Sequence, residues 1–511
     1  MDTAGTALSL QGRGRRSWAL VSVLAFGAGA LWLAFSGAGP FVLLAAFAAL
    51  AGVMVLRMPI IGILVYLVTF LFSYPAVLRG SGNFTINNML GLMYLPLVLI
   101  GLLREGDFWL VKIRPLVLLA FVAVVSIAAS WMYQPMDLSG GVVTEEVQKI
   151  RASQGATMVE MRDARTKFVT RLAFLVFFVF FVRSPRDLKL VAATIVGCLL
   201  LTYLQVSASE GVFGWGTGRL RVQGAAGTGL YSGRNPNKLA YFALLCLTLL
   251  WYSRKAIRWK LLYPFWAIAV AMAASIVPLT ASRSGMINLV IFLSIITFEG
   301  RFGARKVVGA FLLLMFFTVQ VGFQVNVLDA VLPDVVAERL QKVDVRTEAL
   351  SSGQVAGGSL GRRFHNVQVA ATMALRHPIF GVGLGNFTSE RALVDPTGMT
   401  APPHNSYLMA WVEGGIISLA LYLAVFFGLF AALRNLERDY EARFGPVGMG
   451  WMVSCMRTIL IGFLVFSFFA DMWIHILFYI IVGMCISVVR MHQVYAETGR
   501  LPNPPMQPAP A

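Results

Sequence analysis

The sequence predicts an all-α, polytopic integral membrane protein with about 14 transmembrane helices and one large helical loop on the extracytoplasmic side. Of its 511 residues, 58% are hydrophobic and only 13% are charged, and these values lie outside the usual range of soluble domains. Apolar runs of roughly 17 to 25 residues, each long enough to cross a bilayer, follow one another along the chain. Short basic clusters separate many of these runs, which is typical of a multi-pass protein with a fixed orientation.

The first apolar run, residues 18–35, follows an arginine-rich segment. A signal peptide has similar flanks, but further apolar runs follow without interruption, so we interpret this run as an uncleaved first span. Residues 1–17 are then a cytoplasmic N-terminus. Residues 18–207 are predicted to form the N-terminal set of transmembrane helices, with one outer loop at 135–167.

The loops between the apolar runs alternate in charge, and this alternation sets the predicted orientation. Basic clusters lie in the connections around residues 57, 104–114, 183–189, 254–260, 301–306 and 434–443. By the positive-inside rule these connections are cytoplasmic, and so are both termini. The long loops 135–167, 208–237 and 327–404 are predicted to lie outside, since long loops do not obey the charge rule. Residues 491–511, which are rich in proline, are predicted to form a disordered cytoplasmic tail.

The composition also argues against several other classes of protein. A net charge of +18 is compatible with nucleic-acid binding, but the basic residues form scattered clusters instead of one stripe, so no nucleic-acid partner is predicted. The four cysteines lie within apolar runs and show no CxxC spacing, so we expect neither a disulfide framework nor a zinc site. The histidines other than His404 show no ligand spacing either, and no metal site is predicted.

Short motifs follow one another at the end of the largest loop. The loop ends in HPIFGVGLGNF at 377–387 and PPHNSYL at 402–408, and the next span begins with EGG at 413–415. We interpret the glycine-rich stretch as a sharp turn that brings the loop back to the membrane, because glycine tolerates backbone conformations that other residues avoid.

Further motifs lie upstream. They are TASRSG at 280–285, the pair Gly361-Arg362, and Arg221 followed by NPN at 235–237. Taken with the loop motifs, they resemble the O-antigen ligase and O-antigen (exopolysaccharide) polymerase family of membrane glycosyltransferases over residues 208–490. The order and spacing of the elements, more than any single one, carry the resemblance.

The resemblance implies a reaction and a set of site residues. In this family a glycan carried on a polyprenyl pyrophosphate is transferred to an acceptor hydroxyl at the outer face of the membrane. On this sequence His404 is then the catalytic base, the pyrophosphate ligands are Arg283, Arg362 and Arg221, and supporting residues are Arg363, Asn405, Tyr407, Glu413 and Asn237. Arg362 and Arg363 compete for one family position, and the choice between them stays open. No ATP, nucleotide sugar, metal or other cofactor is implied, since the donor is already activated.

These residue types suit the chemistry that the resemblance implies. A departing pyrophosphate needs fixed cations, and arginine binds phosphate oxygens with two parallel hydrogen bonds. An attacking hydroxyl needs a base, and a histidine whose pKa lies near 6.5 accepts a proton at neutral pH. Neighbouring arginines favour the unprotonated imidazole. The predicted topology places Arg221, Arg283, Arg362 and His404 on the same outer side.

Each assigned residue also has a purely structural interpretation. His404 precedes Asn and Ser, as a turn or helix-cap residue does. Arg283 is compatible with anchoring the end of a span among lipid headgroups, and Arg362 with a solvated loop face. Arg221 shares its loop with other basic residues, so a general phosphate-attracting surface explains it equally well.

Two further charges interrupt the apolar pattern near the C-terminus. Arg457 lies within an apolar run, and Asp471 lies close to the predicted outer end of the same span. Charges in such places are functional candidates by default. They are equally compatible with structural pairing, either with Glu413 or with each other.

The resemblance leaves several functions open. A polymerase transfers the glycan to another lipid-linked repeat unit, whereas a ligase transfers it to a lipid A-core sugar or to a protein. The extra spans and the charged loop at 135–167 favour the polymerase. A lipid-glycan flippase is the alternative from the transporter class, but a flippase would carry charges in several spans. A catalytically inert scaffold of a polysaccharide export complex is a third alternative. Expected partners are therefore the lipid-linked donor, the acceptor, the bilayer and other export proteins, at a bacterial inner membrane.

Overall fold

The computed structural model describes residues 58–72, 86–105, 109–132, 164–210, 236–254, 257, 260–280, 282–298, 359–395, 402–443 and 450–498. All regular elements in these ranges are helical, as the sequence predicts. The chain divides into two units, Met1–Val65 and Tyr66–Ala511, and everything described below lies in the second unit, apart from the beginning of the first helix. The predicted first span at 18–35 and Arg221 lie outside the described residues.

The described helices follow one another with short breaks. They are α1 (Pro59–Leu71), α2 (Ile86–Glu105), α3 (Arg114–Met132), α4 (164–181), α5 (Pro185–Glu210), α6 (Pro236–Ser253), α7 (Tyr263–Leu279), α8 (Arg283–Phe298), α9 (Ser359–Arg376), α10 (Phe387–Val394), α11 (Ser406–Arg443), α12 (Gly450–Phe466) and α13 (Ile476–Thr498). Short 3₁₀ turns at Trp109–Lys112 and Lys260–Leu262 lead into α3 and α7.

Five stretches in the described residues are long and apolar enough to cross a membrane. They are Arg114–Met132, Pro185–Leu204, Lys260–Val277, Ser406–Leu436 and Ile476–Glu497. Shorter apolar helices lie at Pro59–Leu71, Leu90–Leu103, Ser284–Thr297 and Gly450–Phe466. The chain is therefore a multi-pass, all-helical protein in these ranges. The predicted number of spans includes runs outside the described residues and stays a prediction.

Large apolar side chains cover the outside of the bundle. On α2, Leu92 and Leu103 are 74% and 70% exposed, and on α7, Phe265 is 70% exposed. A soluble monomer rarely exposes this much apolar surface to water, whereas such a surface is stable in contact with lipid tails. These outward faces support a position in the bilayer.

Two helices form the centre of the bundle. In α13, 83% of the apolar window is buried, and in α6 nearly every residue from Leu239 to Leu250 is buried. α6 packs against α5, α7, α8 and α12, while α11 packs against α3, α9, α12 and α13. A cluster of aromatic rings joins α11, α12 and α13, since the ring centroids of Phe426, Phe463 and Phe478 lie within 5.8 Å of one another. This close packing fixes the positions of α11, α12 and α13 relative to one another.

The end of the bundle at which α4 meets α5 is rich in arginine–aromatic contacts. The guanidinium group of Arg183 lies over the rings of Phe180 and Trp109, and that of Arg490 lies over Trp109 as well. Asp187 accepts hydrogen bonds from the backbone N–H and the hydroxyl of Ser184 and so caps the start of α5. This end carries the 183–189 cluster for which the sequence predicts a cytoplasmic position.

The structure moves two predicted boundaries. α13 continues to Thr498, so residues 491–498 are helical and do not belong to a disordered tail. The reason is packing, since Met491 and His492 are still buried. α4 extends back at least to residue 164, into the predicted loop 135–167. The large loop 327–404 contains helices, as expected, namely α9 and α10.

Candidate active site

At the other end of the bundle, two hydrogen bonds join helix ends that are distant in sequence. The hydroxyl of Ser282, just before α8, donates to Oδ1 of Asn237 in the first turn of α6 over 2.8 Å. The backbone N–H of Ser406, at the start of α11, donates to the carbonyl of Ser467, just after α12, over 2.8 Å. We call the end of the bundle that these two bonds mark the junction end.

The loop that carries His404 is fixed on its C-terminal side. Oδ1 of Asn405 accepts hydrogen bonds from the backbone N–H groups of Tyr407 and Leu408, both at 3.0 Å, so Asn405 is the N-cap of α11. The hydroxyl of Ser406 donates to the carbonyl of Ala470 over 2.7 Å. The hydroxyl of Tyr407 donates to the carbonyl of Leu464 over 2.6 Å. The helix-cap role that the sequence allowed for His404 therefore belongs to its neighbour.

His404 itself has an unusual backbone. Its φ is 53°, and it is the one non-glycine residue with positive φ in the described part of the chain. This left-handed conformation costs an ordinary residue about 1–2 kcal/mol, although histidine, asparagine and aspartate adopt it more readily than most. Strained backbone tends to occur at functional sites.

The environment of His404 favours the neutral imidazole. Burial is the largest cause that lowers its pKa below the ordinary value of 6.5, and the positive charges of Arg363 and Lys238 lower it further. The ring is half-buried. A neutral imidazole at pH 7 is able to accept a proton, which a general base must do.

The start of α8 carries Arg283 to the junction end. The hydroxyl of Ser282 accepts a hydrogen bond from the backbone N–H of Gly285 over 3.0 Å, so Ser282 is the N-cap and the backbone of Arg283 follows as the first helical residue. A Cβ at Gly285 would lie 2.6 Å from Cβ of Ala240, so only glycine lets α8 approach α6 this closely. The TASRSG motif thus fixes where the backbone of Arg283 lies.

The glycine-rich turn at 377–387 pairs with a break in α11. Gly415 has φ 69° and ψ −176°, which interrupts the helix. The carbonyl of Val412 accepts a hydrogen bond from the N–H of Val382 over 2.8 Å, and the N–H of Ile416 donates to the carbonyl of Pro378 over 2.8 Å. The backbone groups that an unbroken helix would pair with each other therefore bind the turn instead.

Glu413 is a structural clamp in this arrangement. Its side chain is buried, and Oε1 accepts a hydrogen bond from the N–H of Gly385 over 3.0 Å. Oε2 accepts one from Nε1 of Trp473 over 3.1 Å. The carboxylate therefore ties the glycine turn to the loop between α12 and α13.

We expect Gly415→Ala to destabilise the protein strongly. A positive φ is sterically unfavourable for alanine, and its Cβ would collide with the carbonyl of Ile379. A loss of roughly 3 kcal/mol or more is expected from strain and overpacking together. Gly428→Ala, in the same helix, is the matched control, because a Cβ there meets nothing within 4 Å. Thermal unfolding of the purified protein in detergent measures both, and equal melting temperatures for the two variants would contradict this account of the break.

The first turn of α9 carries the two adjacent arginines. The charge of Arg363 lowers the pKa of His404, so Arg363 belongs to the electrostatic surroundings of the histidine. The backbone of Arg362 lies one position earlier in the same helix. α9 packs against α11, the helix that follows the histidine loop. The choice between the two arginines as phosphate ligand therefore stays a prediction.

These motifs lie in one segment that matches a known family. Residues 267–423 match the family model described as O-antigen ligase. This segment is similar to the O-antigen ligase family. Among curated proteins none matches the chain. The matching segment begins within α7 and includes α8, α9, α10, the histidine loop and the broken part of α11. The resemblance seen in the sequence is thereby confirmed.

A buried polar cluster inside the matching segment was missed by the sequence analysis. Arg391 in α10 is fully buried, and its Nη2 donates to Oδ2 of Asp395 and to Oδ1 of Asn366, each over 2.8 Å. His365 in α9 lies 3.1 Å from the same carboxylate. Since these buried groups form hydrogen bonds with one another, we infer that the cluster stabilises the packing of α10 against α9. The spacing of these residues gives no signal of it.

Charges outside the matching segment also act at the junction end. The charge of Lys238, in the first turn of α6, acts on His404, Asp471 and His475. Burial raises the pKa of Asp471 above 3.8, and Lys238 and Arg171 oppose this effect. Burial and the same two cations hold the pKa of His475 well below 6.5. Of Lys238, Arg171, Asp471 and His475, only Asp471 was singled out from the sequence.

The segment that carries Asp471 and His475 is fixed from two sides. The ring of Phe168 in α4 lies 5.6 Å from that of Trp473, and the side chain of Arg171 donates a hydrogen bond to the carbonyl of Ile474. Nδ1 of His475 accepts a hydrogen bond from the N–H of Leu477 at the start of α13. The neutral His475 that its lowered pKa favours is the form that this cap requires.

Proposed function

We propose that this protein is a membrane glycosyltransferase that moves a glycan from a polyprenyl-pyrophosphate carrier to an acceptor hydroxyl at the periplasmic face of a bacterial inner membrane. The pathway is surface polysaccharide synthesis, that is O-antigen, exopolysaccharide or capsule. The similarity of residues 267–423 to the O-antigen ligase family supports this class of activity. The expected partners are the lipid-linked donor, a glycan or lipid A-core acceptor, the bilayer and other polysaccharide export proteins.

One observation carries the proposal. His404, whose pKa is lowered, lies where the charges of Arg363 in α9 and Lys238 in α6 act on it, from distant parts of the chain. A base and several cations at one end of a lipid-exposed bundle are what transfer from a lipid diphosphate requires. A flippase would need charges along its spans, and this pattern does not favour one.

The proposed step is a single displacement. The acceptor oxygen attacks the anomeric carbon while the bond from that carbon to the diphosphate oxygen breaks, and the diphosphate leaves with the bonding electrons. His404 takes the proton of the acceptor hydroxyl. Arg283 and one of the pair Arg362 and Arg363, with Arg221 as a third ligand, neutralise the leaving diphosphate. The products are a glycoside of inverted configuration and the polyprenyl diphosphate, and the step needs no metal or other cofactor.

The remaining assigned residues support the site through the framework. Asn237 positions the start of α8, Asn405 caps α11, and Tyr407 fixes the same turn to α12. Glu413 ties the glycine turn to the loop before α13. We propose that these residues hold the geometry and do not contact the reacting atoms.

For the acceptor, we propose another lipid-linked repeat unit, which makes the protein a polymerase. The extended N-terminal half supports this choice, because it goes beyond the segment that matches the O-antigen ligase model. The ligase, with lipid A-core or protein as acceptor, is the second candidate, and the description of the matching family supports it.

Glycan analysis of a deletion strain separates these activities. For the polymerase we expect single repeat units to accumulate on the lipid carrier, since nothing joins them. Long chains stranded on the carrier would show a ligase instead. Unchanged amount and length of surface polysaccharide would contradict the proposed function as a whole. Complementation with the intact gene is the control.

A further inference from the structure

The first turn of α6 contains a lysine that neither the resemblance nor the matching segment accounts for. Lys238 directly follows Asn237, whose side chain is bonded to Ser282 at the start of α8. It therefore lies beside the helix start that carries the backbone of Arg283. A lysine in the first turn of a helix is electrostatically unfavourable, because the helix dipole is positive there. A nearby negative charge offsets this cost.

Packing on the other side of α6 brings Lys238 to the loop between α12 and α13. One turn further along α6, the ring of Tyr241 stacks on that of Phe466 with centroids 4.5 Å apart and planes 17° apart. Phe466 ends α12 and directly precedes the loop that carries Asp471. Lys238 thus stands between the start of α8 and this loop.

The histidine loop meets the same place. The N–H of Ser406 donates to the carbonyl of Ser467, and its hydroxyl accepts a hydrogen bond from the N–H of Met472 over 2.8 Å. These bonds hold His404 next to the loop that carries Asp471. The charge of Lys238 accordingly acts on both residues.

We propose that Lys238 is a further ligand of the donor's diphosphate, which it binds between the start of α8 and the His404 loop. This inference rests on the proposed function. Asp471 supplies one negative charge nearby, but Arg171 acts on the same carboxylate. Two cations share it, and the bound diphosphate adds the negative charge that balances the lysine. Lysine suits this role as a compact cation with three donors.

Binding of farnesyl diphosphate to the purified full-length protein in detergent tests the proposal. We expect Lys238→Met to weaken binding by at least about tenfold, because one charge-assisted contact is worth that much. Lys238→Arg keeps the charge and should stay within a few-fold of the wild type. Lys189→Met is the matched control, an exposed lysine in the first turn of α5, and should bind normally. Farnesol, which lacks the phosphates, should show no difference between the variants.

A double variant separates ligand binding from a merely structural pairing. If Lys238 only neutralised Asp471, Lys238→Met with Asp471→Asn would restore full binding, and that result would overturn the proposal. Normal binding by Lys238→Met alone would overturn it as well. Absence of farnesyl diphosphate binding by the wild-type protein would instead contradict the proposed function.

A second readout is the pH profile of transfer. Loss of the Lys238 charge raises the pKa of His404, so the acidic limb of the profile of Lys238→Met should move to higher pH.

Discussion

His404→Ala is expected to abolish glycan transfer while the protein still inserts and accumulates in the membrane. Removal of a general base costs about 10²–10⁴ in rate. The residual rate should lose its acidic limb, because in the wild type activity falls as His404 becomes protonated below its lowered pKa. Polymer length and amount in cells that carry the variant measure the effect, and immunoblotting of membranes measures accumulation.

The backbone at this position calls for a second variant. Because φ is 53°, alanine there is strained, whereas asparagine tolerates the left-handed conformation. His404→Asn should therefore match the wild type in melting temperature and still lose transfer, since an amide is no base. If His404→Asn makes polymer of wild-type amount and length, His404 is not the general base and its role is structural.

Arg283→Ala is expected to reduce transfer by about 10²–10³, the cost of removing one preorganised donor to a charged transition state. Its backbone is the first residue of α8 at the junction end, held there by Ser282 and Gly285. Arg283→Lys should recover part of the activity, because lysine keeps the charge without the bidentate geometry. Transfer by purified variants at saturating acceptor measures the effect.

Two comparisons complete this prediction. Arg186→Ala is the matched control, an exposed arginine in the first turn of α5, and should transfer normally. The pair Arg362→Ala and Arg363→Ala assigns the second ligand. We expect the larger loss from Arg363→Ala, whose charge acts on His404. An Arg283→Ala enzyme with unchanged kinetics would show that this arginine only anchors its helix.

Much of the fold follows from the sequence, because a run of apolar residues in lipid has to be helical to satisfy its backbone. The presence of helices between residues 327 and 404 was predictable too. The break in α11 was not. Gly415 belongs to a visible EGG motif, but only the turn at 378–382, distant in sequence, supplies the partners for the broken backbone pairs.

The site shows the same limit. The order of the motifs predicts which residues share one side of the membrane, because spans alternate in direction. It does not predict which side chains interact. Lys238 is one residue beyond a recognised motif, and its link to Asp471 depends on the stacking of Tyr241 on Phe466. Asn405 and Glu413 lie within the motifs, yet their bonds fix helices.

The most direct measurement is the release of polyprenyl diphosphate by the purified wild-type protein in liposomes, followed by ³¹P NMR, with a lipid-linked glycan as donor and a chelator present. Since a second lipid-linked glycan is the proposed acceptor, we predict release without any other acceptor, in an amount that equals the number of new glycosidic bonds. No release above that of empty liposomes, or equal release by His404→Asn, would contradict the claim that the junction end binds a lipid diphosphate and promotes loss of its sugar.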